Sequence, residues 1–291
     1  MGDWIAEFLK REALPRDYRA TISTVLQPLA MKLAQRARLS DQMVLVGLCG
    51  AQGSGKTTAG AALVELLASE DLPAIALSID DFYLPRAERV DLARCVHPLL
   101  VTRGVPGTHD LELAQATIDS LAGTDPVQVP TFDKSSDDRL PRRAWREAAG
   151  GQRVVILEGW CVGARPQTAA ELAAPINALE RKEDPQGIWR RYVNAALTGP
   201  YRQLFDRLSP LVLLAAPSFN VVQDWRGEQE QKLRDRVLAE GGDTSRLMDE
   251  PQLLRFISHY ERVTRHILAE MPARADHLIS LDRQRNAQFL R

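Results

Sequence analysis

Aromatic residues make up only 6% of this 291-residue chain, too few to suggest a stacking platform for single-stranded nucleic acid. Excess positive charge is missing too: 37 Lys and Arg stand against 38 Asp and Glu, so any anion site must come from local placement. Long nucleic acids are therefore not expected partners. The three cysteines, Cys49, Cys95 and Cys161, form no C-x-x-C pair and leave one over, as expected where thiols stay reduced, which points to the cytoplasm. No apolar run reaches the roughly 20 residues that span a bilayer, so no membrane partner is expected. Residues Met1 to Arg11 carry Asp3, Glu7, Lys10 and Arg11 where a signal peptide would be apolar. Internal repeats and low-complexity tracts are also lacking.

What is present is an ordinary globular composition, 45% hydrophobic and 26% charged, enough to bury a large core in one catalytic domain over residues 1–291. Short apolar runs at Met43–Cys49, Ala74–Ile79, Val154–Leu157, Leu211–Ala215 and His277–Leu281 have the length of buried parallel strands. Between them, Thr57–Ser69, Leu111–Leu121, Trp189–Leu208 and Gln252–Met271 have helical spacing. This alternation predicts an α/β fold with a parallel five-stranded sheet flanked by helices. Residues 1–40 read as a helical N-terminal segment. Residues 81–151, rich in Gly, Pro, Asp and Arg, read as a substrate-side insertion with one helix capped near Thr108–Asp110 and an extended piece at Val127–Phe132. Residues 218–250 hold a charged helix with Arg226, Lys232, Arg234 and Arg236, ending at Gly241-Gly242. It suits a helical lid, or equally a solvated surface helix.

The segment Gly50-Ala51-Gln52-Gly53-Ser54-Gly55-Lys56-Thr57 matches G-x-x-x-x-G-K-[ST], after an apolar strand and at the start of a helix. Glycines let such a loop wrap a polyphosphate, and its amides and the helix N-terminus direct partial positive charge at the anion. The expected ATP contacts are Gly50, Gln52, Gly53, Ser54, Gly55, Lys56, Thr57 and Thr58. Lys56 is placed to reach the β- and γ-phosphates and Thr57 to ligate Mg²⁺. GTPases, motors, assembly ATPases and small-molecule kinases all share this loop. The absence of an N-K-x-D guanine signature and of a basic surface favours the kinase.

In open α/β sheets, ligands lie beyond the carboxyl ends of the strands. Asp80 and Asp81 follow the second run directly and Glu158 follows the third. Phosphoryl transfer to a hydroxyl needs a carboxylate to take the proton and oxygen ligands around Mg²⁺. The expected catalytic set is Lys56, Asp80 and Glu158, with Thr57 and Glu158 toward the metal. Helix N-capping by Asp80 or Asp81, or a surface turn at Glu158-Gly159, would explain the same residues. Asp81, Tyr83, Arg103, His109, Asp133, Lys134 and Arg139 form the expected acceptor set, a mixture suited to hydroxyls and a carboxylate. His259 and His266 lie on an expected helix without a metal-ligand signature and read as surface or core residues.

The series GAQGSGKTT, LSIDDFYLP, TRGVPGTHD, VPTFDKSSDDR, VVILEGWCVGARP, YVNAAL and WRGEQEQKLR resembles the D-glycerate 3-kinase family, particularly its bacterial branch, over about Leu45 to Arg283. The P-loop and the Asp before Phe-Tyr are also similar to uridine kinase, phosphoribulokinase and pantothenate kinase. The resemblance implies a P-loop NTPase fold that phosphorylates D-glycerate at its 3-hydroxyl, with Asp80 in the place of the acceptor-activating Asp and Glu158 in that of the Mg²⁺-proximal acid. Phe132 stands where the family often has Tyr, and Ser136 to Arg139 is shorter than in plant and fungal members. Other readings of the residues are a kinase of a nucleoside or a pantothenate-like metabolite, and an ATP-binding regulatory or assembly ATPase.

Overall fold

The apolar runs pair into one sheet because each can bury both faces only between neighbours. The computed structural model describes residues 4–239 and 248–291. Its main strands are β1 (Val44–Gly50), β2 (Ala74–Ser78), β3 (Val154–Gly159), β4 (Leu211–Ala215), β5 (His277–Leu281) and β6 (Ala287–Phe289), in the order β6-β5-β4-β1-β3-β2. The first five are parallel and β6 returns antiparallel to β5. The sheet thus has six strands where five were expected. The sixth is Ala287-Gln288-Phe289, too short and polar to read as an apolar run, and a turn in which Asp282 accepts from the backbone and side chain of Asn286 delivers it.

Alternate residues of each strand serve two cores. Leu45 and Cys49 of β1 face one cluster with Leu157 and Leu213, whereas Val46 and Leu48 face the other with Ile156 and Val212. The second cluster is closed by α1 (Gln27–Leu39) and α2 (Lys56–Ala68). Ahead of α1 lie Trp4–Arg11, Tyr18–Thr21 and a π-helical turn at Ile22–Leu26.

The insertion holds two helices rather than one, α3 (Arg86–Cys95) and α4 (Leu111–Leu121). Asp110 caps α4 by accepting from Leu113 N at 3.0 Å, and losing such a cap costs about 1 kcal/mol. α3 escaped the apolar pattern because the residue it buries is Arg89. The extended piece divides into Val127–Val129, paired with Arg146–Ala148, and Phe132–Asp133, paired with Asp138–Arg139.

The expected helix 189–208 is two, α5 (Ile188–Thr198) and α6 (Pro200–Phe205). Pro200 has no N–H to continue α5 and instead opens α6, a position its fixed φ suits. A short helix at Ala178–Glu183 precedes α5, and α7 (Phe219–Ala239) and α8 (Glu250–Arg274) follow β4, α8 starting in a capping box between Asp249 and Gln252. Gly241-Gly242 and the side chains of Lys232 and Arg236 lie outside the described residues.

Candidate active site

Parallel register brings the carboxyl ends of three strands level: Glu158 on β3 sits beside Leu48 of β1 and Ser78 of β2. The chain crosses from one side of β1 to the other between β3 and β4, so a crevice opens above β1. A cavity of about 450 Å³ occupies it, lined on one side by Gln52, Gly53, Lys56 and Thr57 and on the other by Asp80, Asp81, Tyr83, Arg103 and Lys134.

The loop reaches α2 through two left-handed glycines, Gly53 at φ 79° and Gly55 at φ 81°. A side chain at 53 would be strained and would also lie 2.7 Å from Cβ of the fully buried Trp225, which brings α7 against the loop. Arg285, from the turn before β6, donates from Nε to Gly53 O at 2.7 Å and lies 5.1 Å over the Trp225 ring. This bracing was not foreseen, because Arg285 and Gly53 are far apart in sequence. Gly50 and Ser54 shape the loop from beneath, with Ser54 buried, and Thr58 lies on the first turn of α2 outside the cavity lining.

Thr57 Oγ1 donates to Glu158 Oε1 at 2.8 Å. Glu158 is buried and its Oε2, 3.8 Å from Lys56 Nζ, accepts no hydrogen bond among the described residues. A buried carboxylate oxygen without a donor normally costs stability unless a cation completes it. The strand-end acid, the loop hydroxyl and the loop ammonium therefore form one constellation.

Across the cavity, Lys134 Nζ donates to Asp80 Oδ2 at 2.8 Å, and the Tyr83 hydroxyl lies near enough to favour the ionised carboxylate. Burial pushes the Asp80 carboxyl up, but Lys134 and Lys56 with these contacts outweigh it and hold it well below the usual carboxylate range. Asp80 is no helix cap: Ser78 takes that place, accepting from Asp80 N at 3.3 Å. Asp81 differs from its neighbour. Its Oδ1 accepts from Phe132 N at 3.5 Å, and burial, the largest influence on it, raises its carboxyl.

Three residues of the expected acceptor set are absent from the lining. His109 is buried behind Tyr83 with Nδ1 2.5 Å from Tyr201 Oη, and burial takes its imidazole down to about 4. Arg139 donates to Asp110 at 3.1 Å and to the Tyr83 carbonyl at 2.8 Å. Asp133 accepts from Ser135 N and Oγ at 2.9 and 2.7 Å, shaping the turn that presents Lys134. Polar type alone did not separate residues that face the cavity from residues that build its wall.

Trp160, Tyr260 and Phe256 also line the cavity. Trp160 lay in the quoted EGWCVG segment, but nothing in the pattern of α8 set Phe256 and Tyr260 apart from core residues. From α7, Arg226 and Gln229 reach the lining, and Arg226 pairs with the buried Glu230 at 3.0 Å.

The profile of the Phosphoribulokinase / Uridine kinase family matches residues 45–165, from β1 past β3. An uncharacterised kinase of Schizosaccharomyces pombe, mug58, is 30% identical over 252 residues, 83% of this chain and 87% of that protein. The chloroplastic D-glycerate 3-kinase of Arabidopsis thaliana is 28% identical over 84% of this chain, which spans 53% of the plant enzyme. Among solved structures, D-glycerate 3-kinase from Cryptococcus neoformans superposes with a TM-score of 0.72 at 23% identity, covering 91% of this chain and 97% of the other. That likeness concerns the fold. Taken with the phosphate loop facing a strand-end acid, the sequence matches show that the chain belongs to the phosphoribulokinase/uridine kinase family and is an ATP-dependent small-molecule kinase.

Proposed function

We propose that the enzyme transfers the γ-phosphoryl group of ATP to the 3-hydroxyl of D-glycerate, giving 3-phosphoglycerate and ADP. The observation that carries this reading is the acceptor wall: a strand-end carboxylate, Asp80, shares one cavity with two cations, Arg103 and Lys134, opposite the phosphate loop. A small hydroxy acid needs that combination, a proton acceptor for its hydroxyl and donors for its carboxylate. The name of the plant relative supports the same acceptor.

In this reading, the acceptor oxygen attacks the γ-phosphorus while the bond to the β–γ bridging oxygen breaks. The hydroxyl proton passes to Asp80 and ADP leaves. The transition state is loose, so a weakly basic carboxylate suffices provided it is ionised and in place. Asp80, held below the usual range, is ionised throughout the physiological interval. Lys56 follows the charge that develops on the transferring group. Glu158 Oε2 and the Thr57 hydroxyl fit a Mg²⁺ ion, since one is an acceptor without a donor and the other a hard oxygen beside it. The ion supplies charge neutralisation for the polyphosphate. Asp81, tied to Phe132 N, supports the wall rather than taking the proton.

ADP release measured with D-glycerate, L-glycerate, uridine, pantothenate and no acceptor tests the reading. D-glycerate is expected to give the highest kcat/KM, with little turnover when no acceptor is present. Preference for uridine or pantothenate would replace the acceptor, and acceptor-independent turnover of equal rate would point to an ATPase. A purified enzyme in a reducing buffer suffices, in keeping with the cytoplasmic location inferred from the cysteines.

A further inference from the structure

The helix whose buried face is a single arginine has a task that its sequence does not announce. Arg89 on α3 is wholly buried, and its guanidinium donates to Leu84 O at 3.1 Å, Val101 O at 2.6 Å and Asp137 O at 2.6 Å. The same Nη2 lies 3.0 Å from Asp137 Oδ2. The other carboxylate oxygen, Asp137 Oδ1, accepts from Arg103 Nη1. Asp137 therefore bridges a buried guanidinium and one that lines the cavity. It stands at φ 56°, a left-handed conformation that aspartate adopts more readily than most residues. Both guanidiniums also lie over one ring, Arg89 at 5.8 Å and Arg103 at 5.5 Å from the Phe132 centroid.

The main chain of Arg103 is pinned with equal care. Tyr260 Oη donates to Arg103 O at 2.9 Å and Trp160 Nε1 donates to Gly104 O at 2.8 Å. An arginine on a surface loop samples many rotamers, whereas here the backbone, one guanidinium edge and one guanidinium face are each fixed. The remaining edge of Arg103, Nε and Nη2, makes no hydrogen bond among the described residues.

We propose that Asp137, anchored by Arg89, is a positioning and specificity-determining residue that aims Arg103 at the carboxylate of the acceptor. The inference rests on the reading of Arg103 as a carboxylate donor, and its test separates the two. Phe132 then acts through its ring face, a task that needs no phenolic hydroxyl.

The experiment uses Asp137→Asn, because asparagine tolerates φ > 0 and keeps one oxygen acceptor while losing the charge. Steady-state kinetics with D-glycerate and with its neutral analogue glycerol, together with a thermal melt, give the readouts. Acceptor KM for D-glycerate should rise about tenfold, as for a misdirected charge-assisted hydrogen bond, with a much smaller change in ATP KM. Selectivity for D-glycerate over glycerol should fall by a similar factor, which a general loosening of the fold would not produce. Arg103→Ala should raise the acceptor KM at least as much. Arg103→Ala combined with Asp137→Asn should add little to Arg103→Ala alone, because the two act as one unit. Asp137→Gly, which suits φ > 0 and removes the carboxylate, serves the same test if Asp137→Asn folds poorly: it should lose selectivity over glycerol as well. If Arg103→Ala leaves the acceptor KM unchanged, the carboxylate reading of Arg103 fails first. If Arg103→Ala raises it while Asp137→Asn does not, or if the two effects multiply, the positioning role of Asp137 is refuted alone.

Discussion

The two walls of the cavity are built by different means. The nucleotide wall is backbone: amides of a loop that two left-handed glycines bend between β1 and α2, with one lysine and one hydroxyl projecting from it. The acceptor wall is side chain: Lys134, Asp137 and Arg139 of one turn pair with Asp80, Arg103 and Asp110, which come from separate parts of the chain. A backbone wall fixes geometry through φ and ψ and tolerates many chemistries elsewhere in the chain. A side-chain wall fixes it through ion pairs, so one substitution disturbs several contacts. Breaking one wall should therefore leave the other measurable.

The largest effect is expected at the acceptor wall. Asp80→Asn keeps the size and part of the hydrogen bonding of Asp80 and removes the proton acceptor and the charge that Lys134 pairs with. A fall in kcat of about 10²–10⁴ is expected, with ATP KM little changed. Parallel measurement of Asp81→Asn sharpens the assignment: the bond from Phe132 N makes that carboxylate a wall support, so its substitution should cost less in kcat. Normal turnover by Asp80→Asn with loss in Asp81→Asn would exchange the roles. Normal turnover by both would end the strand-end carboxylate mechanism.

The nucleotide wall comes next. Lys56→Ala should lower kcat by about 10²–10³, the size typical of removing one donor to transition-state charge, while the acceptor KM stays near its original value. The fold should survive, since the lysine is partly exposed and its nearest acidic partner, Glu158, is still met by Thr57. Full activity in the purified variant would remove the phosphate loop from the mechanism. A large rise in acceptor KM would show instead that the two walls are coupled through Glu158.

The same contrast explains what could be read before any coordinates. The phosphate loop was legible because its requirements are local: glycines where φ must be positive, a lysine and a threonine at fixed offsets, a strand before and a helix after. The placement of Asp80 and Glu158 was legible through strand ends, which the parallel sheet brings level. His109, Asp133 and Arg139 were expected among the acceptor contacts and instead hold the wall from behind, because a polar side chain in a loop reads the same whether it faces a ligand or a carbonyl. Helix α3 was missed because its one buried residue is charged, and β6 because three residues carry no period. Tyr260 and Phe256 came from a helix distant in sequence, where nothing distinguishes a cavity-facing aromatic from a core one.

The smallest expected effect concerns acid, and it too should divide the walls. The imidazoles of His109 and His259 are lowered by burial from 6.5 to about 4. In the unfolded chain each takes up a proton near 6.5, so the native state has its full stability above that pH and loses it progressively as pH falls toward about 4. At pH 5 the loss is about 2 kcal/mol for each. Both groups back the acceptor wall: His109 packs on Tyr83, and His259 precedes Tyr260, which holds the Arg103 carbonyl. Residues 44–68, the loop with its strand and helix, contain no histidine. Thermal melts from pH 7 to 5 should therefore show a falling Tm, accompanied by a rise in the acceptor KM larger than that in the ATP KM. His277 is lowered by burial as well, so His109→Gln removes one of at least three such titrations, and the fall in Tm over this interval should become shallower even if the variant starts from a lower Tm. An unchanged slope in that variant would mean that His109 keeps its proton equilibrium on folding, and that acid reaches the acceptor wall by another route.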